Sequence, residues 1–184
     1  MKFLVVLTAV ISTFSFAGEY KVKESSVEFL ALARPGALKI KGKSKEDSAL
    51  NCKLELNKSS LSGPCTFKLD SLNSGIDLRD KHMKEKYLET GKFPTSELHL
   101  TKLILPGNFS GEDIPFEGKL KLHGVEKPVS GKVKANGNGT GKELKLAFSY
   151  KISTADFKIE TPNFMGVTMA NEVEVSVNLE GAAN

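Results

Sequence analysis

Two cysteines, three histidines and a charged run over residues 69–94 are where this sequence could do chemistry. Cys52 and Cys65 are too far apart for the Cys-x-x-Cys spacing of a redox pair, so a structural bridge is the reading they support. If residues 57–60 form a four-residue hairpin loop, Leu56 faces Leu61, Leu54 faces Gly63, Cys52 faces Cys65 and Leu50 faces Phe67. That register predicts a buried Cys52–Cys65 disulfide, worth roughly 3 kcal/mol in the chain-entropy picture. His82, His99 and His123 lie outside helical or hairpin spacing of one another, and a metal site would need two or three of them to converge with a carboxylate, so none is predicted. His99 alternates with Leu98 and Leu100 onto a wet face, and His123 precedes Gly124 at a turn. Asp70, Asp77 and Asp80 suit strand-end and helix-cap duties. No serine-hydrolase elbow, phosphate loop, dinucleotide fingerprint or zinc-protease motif is present, so catalysis has no candidate constellation and neither an enzyme activity nor a cofactor is expected.

The elements that must position these residues are mostly strands. Apolar residues alternate at Leu50, Cys52, Leu54 and Leu56; at Cys65, Phe67 and Leu69; at Leu144, Leu146, Phe148, Tyr150 and Ile152; and at Val173, Val175, Val177 and Leu179. Shorter patterns occur near residues 20–31, 36–43, 96–105, 115–123 and 128–135. The sum is an all-β chain of eight or nine antiparallel strands with one wet face, best accommodated as a closed barrel that leaves no free edge. The Gly/Asn-rich residues 136–141 read as a hairpin loop. One short helix is expected to begin at Asp77 as N-cap, with Asp80 three residues on, and to end before Gly91 and Pro94. Ile76, Met83 and Tyr87 give it an apolar side. A helix this short is held by packing, so residues 77–90 are expected to close one barrel end as a lid, with Gly75 and Gly91 as hinges.

Residues 1–17 read as a secretory signal peptide: Lys2 is the basic region, residues 3–14 the apolar core and Ser15-Phe16-Ala17 the cleavage site, leaving residues 18–184 as one domain. The apolar run is shorter than the roughly 20 residues a membrane span needs, so no integral membrane anchor is expected. With 26 basic and 22 acidic residues the charge is only mildly positive, which gives no support to nucleic acid as a partner. Lys39-Ile40-Lys41 and Lys119-Leu120-Lys121 show that many lysines belong to the wet faces of strands. Arg34 and Arg79 are the only arginines.

The pattern of Ser71, Ser74, Gly75, Arg79, Asp80, His82, Met83, Tyr87, Phe93 and Pro94 resembles the signature of the YceI-like family of secreted lipid-binding proteins. Residues 116–133, FEGKLKLHGVEKPVSGKV, are similar to that family's central hairpin, and residues 148–159 and 169–181 to its closing strands. The chain departs from the pattern at Ser25-Ser26, where the family has His-Ser, near Thr154, where it has Arg, and at Lys158, where it has Gly.

What the resemblance implies is a periplasmic or secreted lipocalin-like barrel that encloses a polyisoprenoid, quinone-like or fatty-acyl lipid. The ligand-binding residues expected on this basis are Phe29, Leu54, Phe67, Leu69, Leu100, Phe116, Phe148, Ile152, Phe157, Phe164 and Met169 along the interior, with Arg79, His82, Met83 and Tyr87 at the helical end. Eleven Phe and no Trp, together with Met83, Met165 and Met169 near the openings, suit a flexible tail. Arg79 could offer a planar fork to a ligand oxygen or could pair with Asp80 at the surface, and the sequence leaves both open. A solid barrel serving as an interaction or stress-response module is the alternative, and a homodimer is left open.

Overall fold

The computed structural model describes residues 17–34, 38–139, 142–164 and 167–183. The expected signal peptide lies outside these residues except for Ala17, as do Met165 and the loop tip at residues 140–141.

Alternating apolar residues build twelve strand segments: β1 (Ala17–Arg34), β2 (Leu38–Ser44), β3 (Leu50–Cys52), β4 (Leu54–Asn57), β5 (Ser60–Lys68), β6 (Leu72–Asn73), β7 (Thr95–Ile104), β8 (Gly111–Leu122), β9 (Val125–Gly137), β10 (Leu144–Ser153), β11 (Asn163–Phe164) and β12 (Val167–Ala183). Eight of them form a closed antiparallel ring in the order β12-β10-β9-β8-β7-β5-β4-β1, and β1 pairs back onto β12. β3 extends the β4 side against β5, while β2, β6 and β11 are additions at the margin. Closure leaves the ring no open edge, which is the physical reason such a sequence forms a barrel. The period-two rule is plain in β8, where Ile114, Phe116, Gly118, Leu120 and Leu122 are buried and the residues between them exposed.

Cys52 and Cys65 are joined by a disulfide, and Leu50 with Phe67, Cys52 with Cys65 and Leu56 with Leu61 are the observed partners. The hairpin is tighter than a four-residue loop. Asn57 pairs with Ser60, so only Lys58 and Ser59 turn the chain, and Lys58 adopts a left-handed φ of 56°. Leu54 and Gly63 do not pair in the ladder, because the strand breaks at Lys53, whose N–H donates to Pro64 O at 2.8 Å. Gly63 permits this break: it holds φ at 134°, and a Cβ there would lie 2.2 Å from Lys53 O.

The helix α1 spans Asp77–His82 and continues as a π-helical turn over Met83–Tyr87, closed by Leu88 N–H donating to Met83 O at 2.8 Å. Its N-cap is Ile76 in extended conformation without a side-chain cap, not Asp77. Asp80 caps no helix either. Its carboxylate reaches back to Asn73 and Ser74 and fixes the chain that enters the helix. Apolar packing supplies the rest: Met83, Tyr87 and Leu88 are half-buried against the core.

Candidate functional site

The barrel interior is filled over one half and hollow over the other. Tyr20, Leu56, Leu61, Leu103, Phe116, Val133, Leu144 and Leu146 pack into a solid half, sealed by the Tyr20 hydroxyl donating to Leu144 O at 2.7 Å. Phe116 meets Phe148 and Tyr150 edge-on, at ring-centroid distances of 5.3 and 5.8 Å. Gly131 makes room for this aromatic layer, since a Cβ there would lie 2.7 Å from Tyr150 Cβ and 2.8 Å from Phe116 Cε1. The other half, towards α1, holds a cavity of about 680 Å³.

Strands on opposite sides of the ring supply its walls. Leu54 and Phe67 come from β4 and β5, Leu100 from β7, Phe148, Tyr150 and Ile152 from β10, Val175 and Val177 from β12, and Val27 and Phe29 from β1. Cys65 places the disulfide against the same space. The helical segment adds Arg79, His82, Met83 and Tyr87, and the chain around β11 and β12 adds Ile159, Pro162 and Met169. Polar side chains on the wall are few: Ser74, Arg79, His82, Ser96, Thr154 and the hydroxyls of Tyr87 and Tyr150.

Arg79 is positioned by Ser74 rather than by Asp80. Its Nε donates to Ser74 Oγ at 2.7 Å and its Nη2 to Ser74 O at 2.8 Å, while Asp80 holds Ser74 from the other side. No direct Arg79–Asp80 ion pair forms among the described residues. The guanidinium therefore sits at the cavity with its orientation set and with N–H groups to spare. Burial opposes ionisation of Asp80, but the Ser74 hydrogen bonds and the charges of Lys84 and Arg79 outweigh it and hold this carboxyl below its ordinary range. Burial pushes the Tyr150 phenol well above its usual value, so it stays protonated as a donor. Thr154 Oγ1 is buried and has no hydrogen-bond partner among the described residues.

Of the residues expected to bind ligand, Phe29, Leu54, Phe67, Leu69, Arg79, His82, Met83, Tyr87, Leu100, Phe148, Ile152 and Met169 are brought together on the cavity. Two lie elsewhere. Phe116 is behind the wall in the aromatic layer, and Phe157 is buried in the 3-10 turn Thr154–Phe157, where its carbonyl lies 3.2 Å from His123 Nδ1. The side chain of Phe164 falls outside the described residues. His99 is exposed on β7. His123 is a turn residue whose Nε2 meets Glu89 Oε2 at 2.6 Å, tying the end of the helical segment to the β8–β9 turn. Sequence reasoning passed over Tyr150, Val173, Val175, Val177 and Leu179, although all fall in the alternating runs that placed their neighbours. It also passed over Leu38, which falls in the shorter alternating pattern near residues 36–43, and Leu78, which no periodicity flags.

A family profile described as the YceI-like domain matches residues 19–181. The UPF0312 protein of Enterobacter sp. (strain 638) is 33% identical over 121 residues, 63% of this chain; the matched stretch spans 59% of that relative's length. Among solved structures, BcnA of Burkholderia cenocepacia superposes with a TM-score of 0.68 at 17% identity, covering 85% of this chain and 95% of that one. A polyisoprenoid binding domain from Saccharophagus degradans superposes with a TM-score of 0.65 at 14% identity, covering 90% and 98%. At these identities the structural likeness speaks for the barrel alone.

Proposed function

This chain belongs to the YceI-like family, and from that premise we propose that it is a binding protein that encloses the tail of a long-chain isoprenoid or similar amphiphile in the hollow half of its barrel. One observation carries the reading: a cavity of about 680 Å³ walled almost wholly by hydrocarbon. Its size falls within the range of roughly 300–1,000 Å³ typical of ligand sites. A void of that size left empty forfeits the packing that stabilises an interior. A tail filling it gains about 0.8 kcal/mol per methylene before ordering costs, so tight binding needs few polar contacts. The barrel shared with a polyisoprenoid binding domain supports the same reading.

In this reading Phe29, Leu54, Phe67, Leu69, Leu100, Phe148, Ile152 and Met169 hold the tail, Met83 and Tyr87 cover it, and Arg79 with His82 meets the polar head. Export is part of the proposal: residues 1–17 act as a signal peptide and the mature domain works in the periplasm or outside the cell, a setting that suits the Cys52–Cys65 bridge. No helix among the described residues is long and apolar enough to cross a membrane.

The test is organic extraction of protein purified from its own host, followed by mass spectrometry, alongside the Leu54→Trp variant. The natural chain has no Trp, so the new indole is also the sole Trp emitter. Lipid in the wild-type extract, and its loss from a folded Leu54→Trp protein, are the expected results. An empty extract, together with a variant that is merely destabilised by the roughly 1–3 kcal/mol of an overpacked core, would end the lipid reading.

A further inference from the structure

The large apolar side chains left exposed are not scattered. Among the described residues they are Leu32, Leu38, Ile76, Leu78 and Ile104. Three of these five, Leu38, Ile76 and Leu78, are more than half exposed and also line the cavity, so they form its rim. Isolated exposed leucines need no explanation, but a cluster around one opening does.

Charge is divided in the same way. On the β7–β10 and β12 wall, six of the eight lysines, Lys102, Lys119, Lys132, Lys134, Lys145 and Lys151, pair with a carboxylate, and Lys121 and Lys127 do not among the described residues. The elements carrying the rim are different. β2 holds Lys39, Lys41 and Lys43 with no acid, and the helical segment holds Arg79, Lys81, Lys84 and Lys86 against Asp77, Asp80 and Glu85. None of these seven basic groups forms an ion pair among the described residues, and Asp80 is already engaged by Asn73 and Ser74.

An apolar rim whose neighbouring elements carry seven basic groups against three acidic ones has the composition of a surface that inserts a few side chains into a bilayer while its lysines meet anionic head groups. We propose that this end of the barrel docks on an anionic phospholipid bilayer, so that the cavity opens directly onto the membrane. The loading role this gives the rim rests on the lipid-binding reading, whereas the docking itself does not. With the rim seated on the bilayer, an amphiphile passes from membrane to barrel along a continuous apolar path and its tail need not cross water.

The experiment is co-sedimentation of the folded protein with vesicles of phosphatidylcholine, with and without phosphatidylglycerol. The expected result is binding to the anionic vesicles that weakens as salt is raised. Each basic residue close to such a surface contributes about fivefold, so the triple variant Lys39→Glu, Lys41→Glu, Lys81→Glu should lose about a hundredfold or more. Ile76→Ser with Leu78→Ser should also weaken vesicle binding. Reversing Lys102, Lys119 and Lys132 makes the same change in net charge on the opposite wall and should leave most binding in place. No binding of the wild-type protein to anionic vesicles, or an equal loss from both triple variants, would overturn the proposal. So would a rim variant that turns a stable dimer into a monomer, since a second copy would then be what covers the rim. A dansylated fatty acid delivered from cyclodextrin, without vesicles, reads the cavity separately. If the protein docks but takes up no probe, the lipid-binding reading fails and the docking stands.

Discussion

Asp80 accepts both the backbone N–H and the hydroxyl of Ser74, six residues earlier in the chain, with the N–H···O contact at 2.8 Å. The same Ser74 receives Arg79 Nε at 2.7 Å, so one serine fixes the entry to the helical segment and the direction of the arginine at the cavity. Asp80→Ala takes the charged acceptor from the half-buried Ser74 and Asn73 donors and should cost about 1–3 kcal/mol of stability. Hydrogen exchange should rise across residues 77–90 before it rises in the barrel strands. Unchanged protection there would show that apolar packing of Met83 and Tyr87 alone holds the lid.

The Asp80 interaction also sets a pH dependence. Burial would raise this carboxyl, yet Ser74, then Lys84 and Arg79, hold it below the ordinary value. A folded-state pKa depressed in this way gives stability that is complete above the unfolded-state pKa of about 4 and is lost as pH falls through the lower folded value. The melting temperature of the wild-type protein should therefore drop more steeply than that of Asp80→Asn as the pH is taken below about 4. Parallel curves for the two proteins would remove Asp80 as a contributor.

How much of this was legible in the sequence follows from the period of each element. Alternation at Leu144, Leu146, Phe148, Tyr150 and Ile152 placed every one of these side chains inside, and the pairing of Cys52 with Cys65 followed from register counting through the hairpin. Alternation reports the face and not the height, however. Phe116 and Phe148 face the same interior, but Phe116 lies in the packed half and only Phe148 on the hollow wall. The helix begins at Asp77 as its composition suggests, but Asp77 is not the cap: the carboxylate that orders this turn is Asp80, through a tertiary contact to Asn73 and Ser74 that no local rule contains. Leu78 was missed because it stands on the exposed side of a helix, where an apolar residue matters only once the opening beside it is known.

Removal of the bridge by Cys52→Ser with Cys65→Ser should lower stability by roughly 3 kcal/mol and leave the β-sheet signal intact, since the closed ring and its packed half do not depend on it. Chemical denaturation followed by circular dichroism gives both quantities. Peptide mapping of exported protein without reductant should recover the two cysteines joined.

Lys158 occupies the left-handed region at φ 57°, at the end of the Thr154–Phe157 turn, where the resembled pattern has Gly. A residue with a Cβ pays about 1–2 kcal/mol in that conformation, and glycine gives part of this back as unfolded-chain entropy. Lys158→Gly should thus stabilise the protein by about 0.5–1 kcal/mol, read as a raised denaturation midpoint at an unchanged slope. A fall in stability would mean that the lysine side chain contributes more than its backbone strain removes.

Thr154 presents the opposite case, a side chain whose cost falls on the empty protein. Its Oγ1 is buried on the cavity wall without a hydrogen-bond partner among the described residues, and a buried hydroxyl in that state carries an uncompensated desolvation penalty. Thr154→Val keeps the shape and deletes the penalty, so the lipid-free variant should be about 1 kcal/mol more stable than the wild-type protein. Repeating the measurement on lipid-loaded protein locates the ligand's polar end. If an oxygen of the bound amphiphile reaches Thr154, the hydroxyl is satisfied in the wild-type complex, the gain disappears on loading, and the variant binds the lipid several-fold more weakly. If the gain persists unchanged on loading, only hydrocarbon passes Thr154, and Arg79 and His82 are left as the groups that meet the polar head.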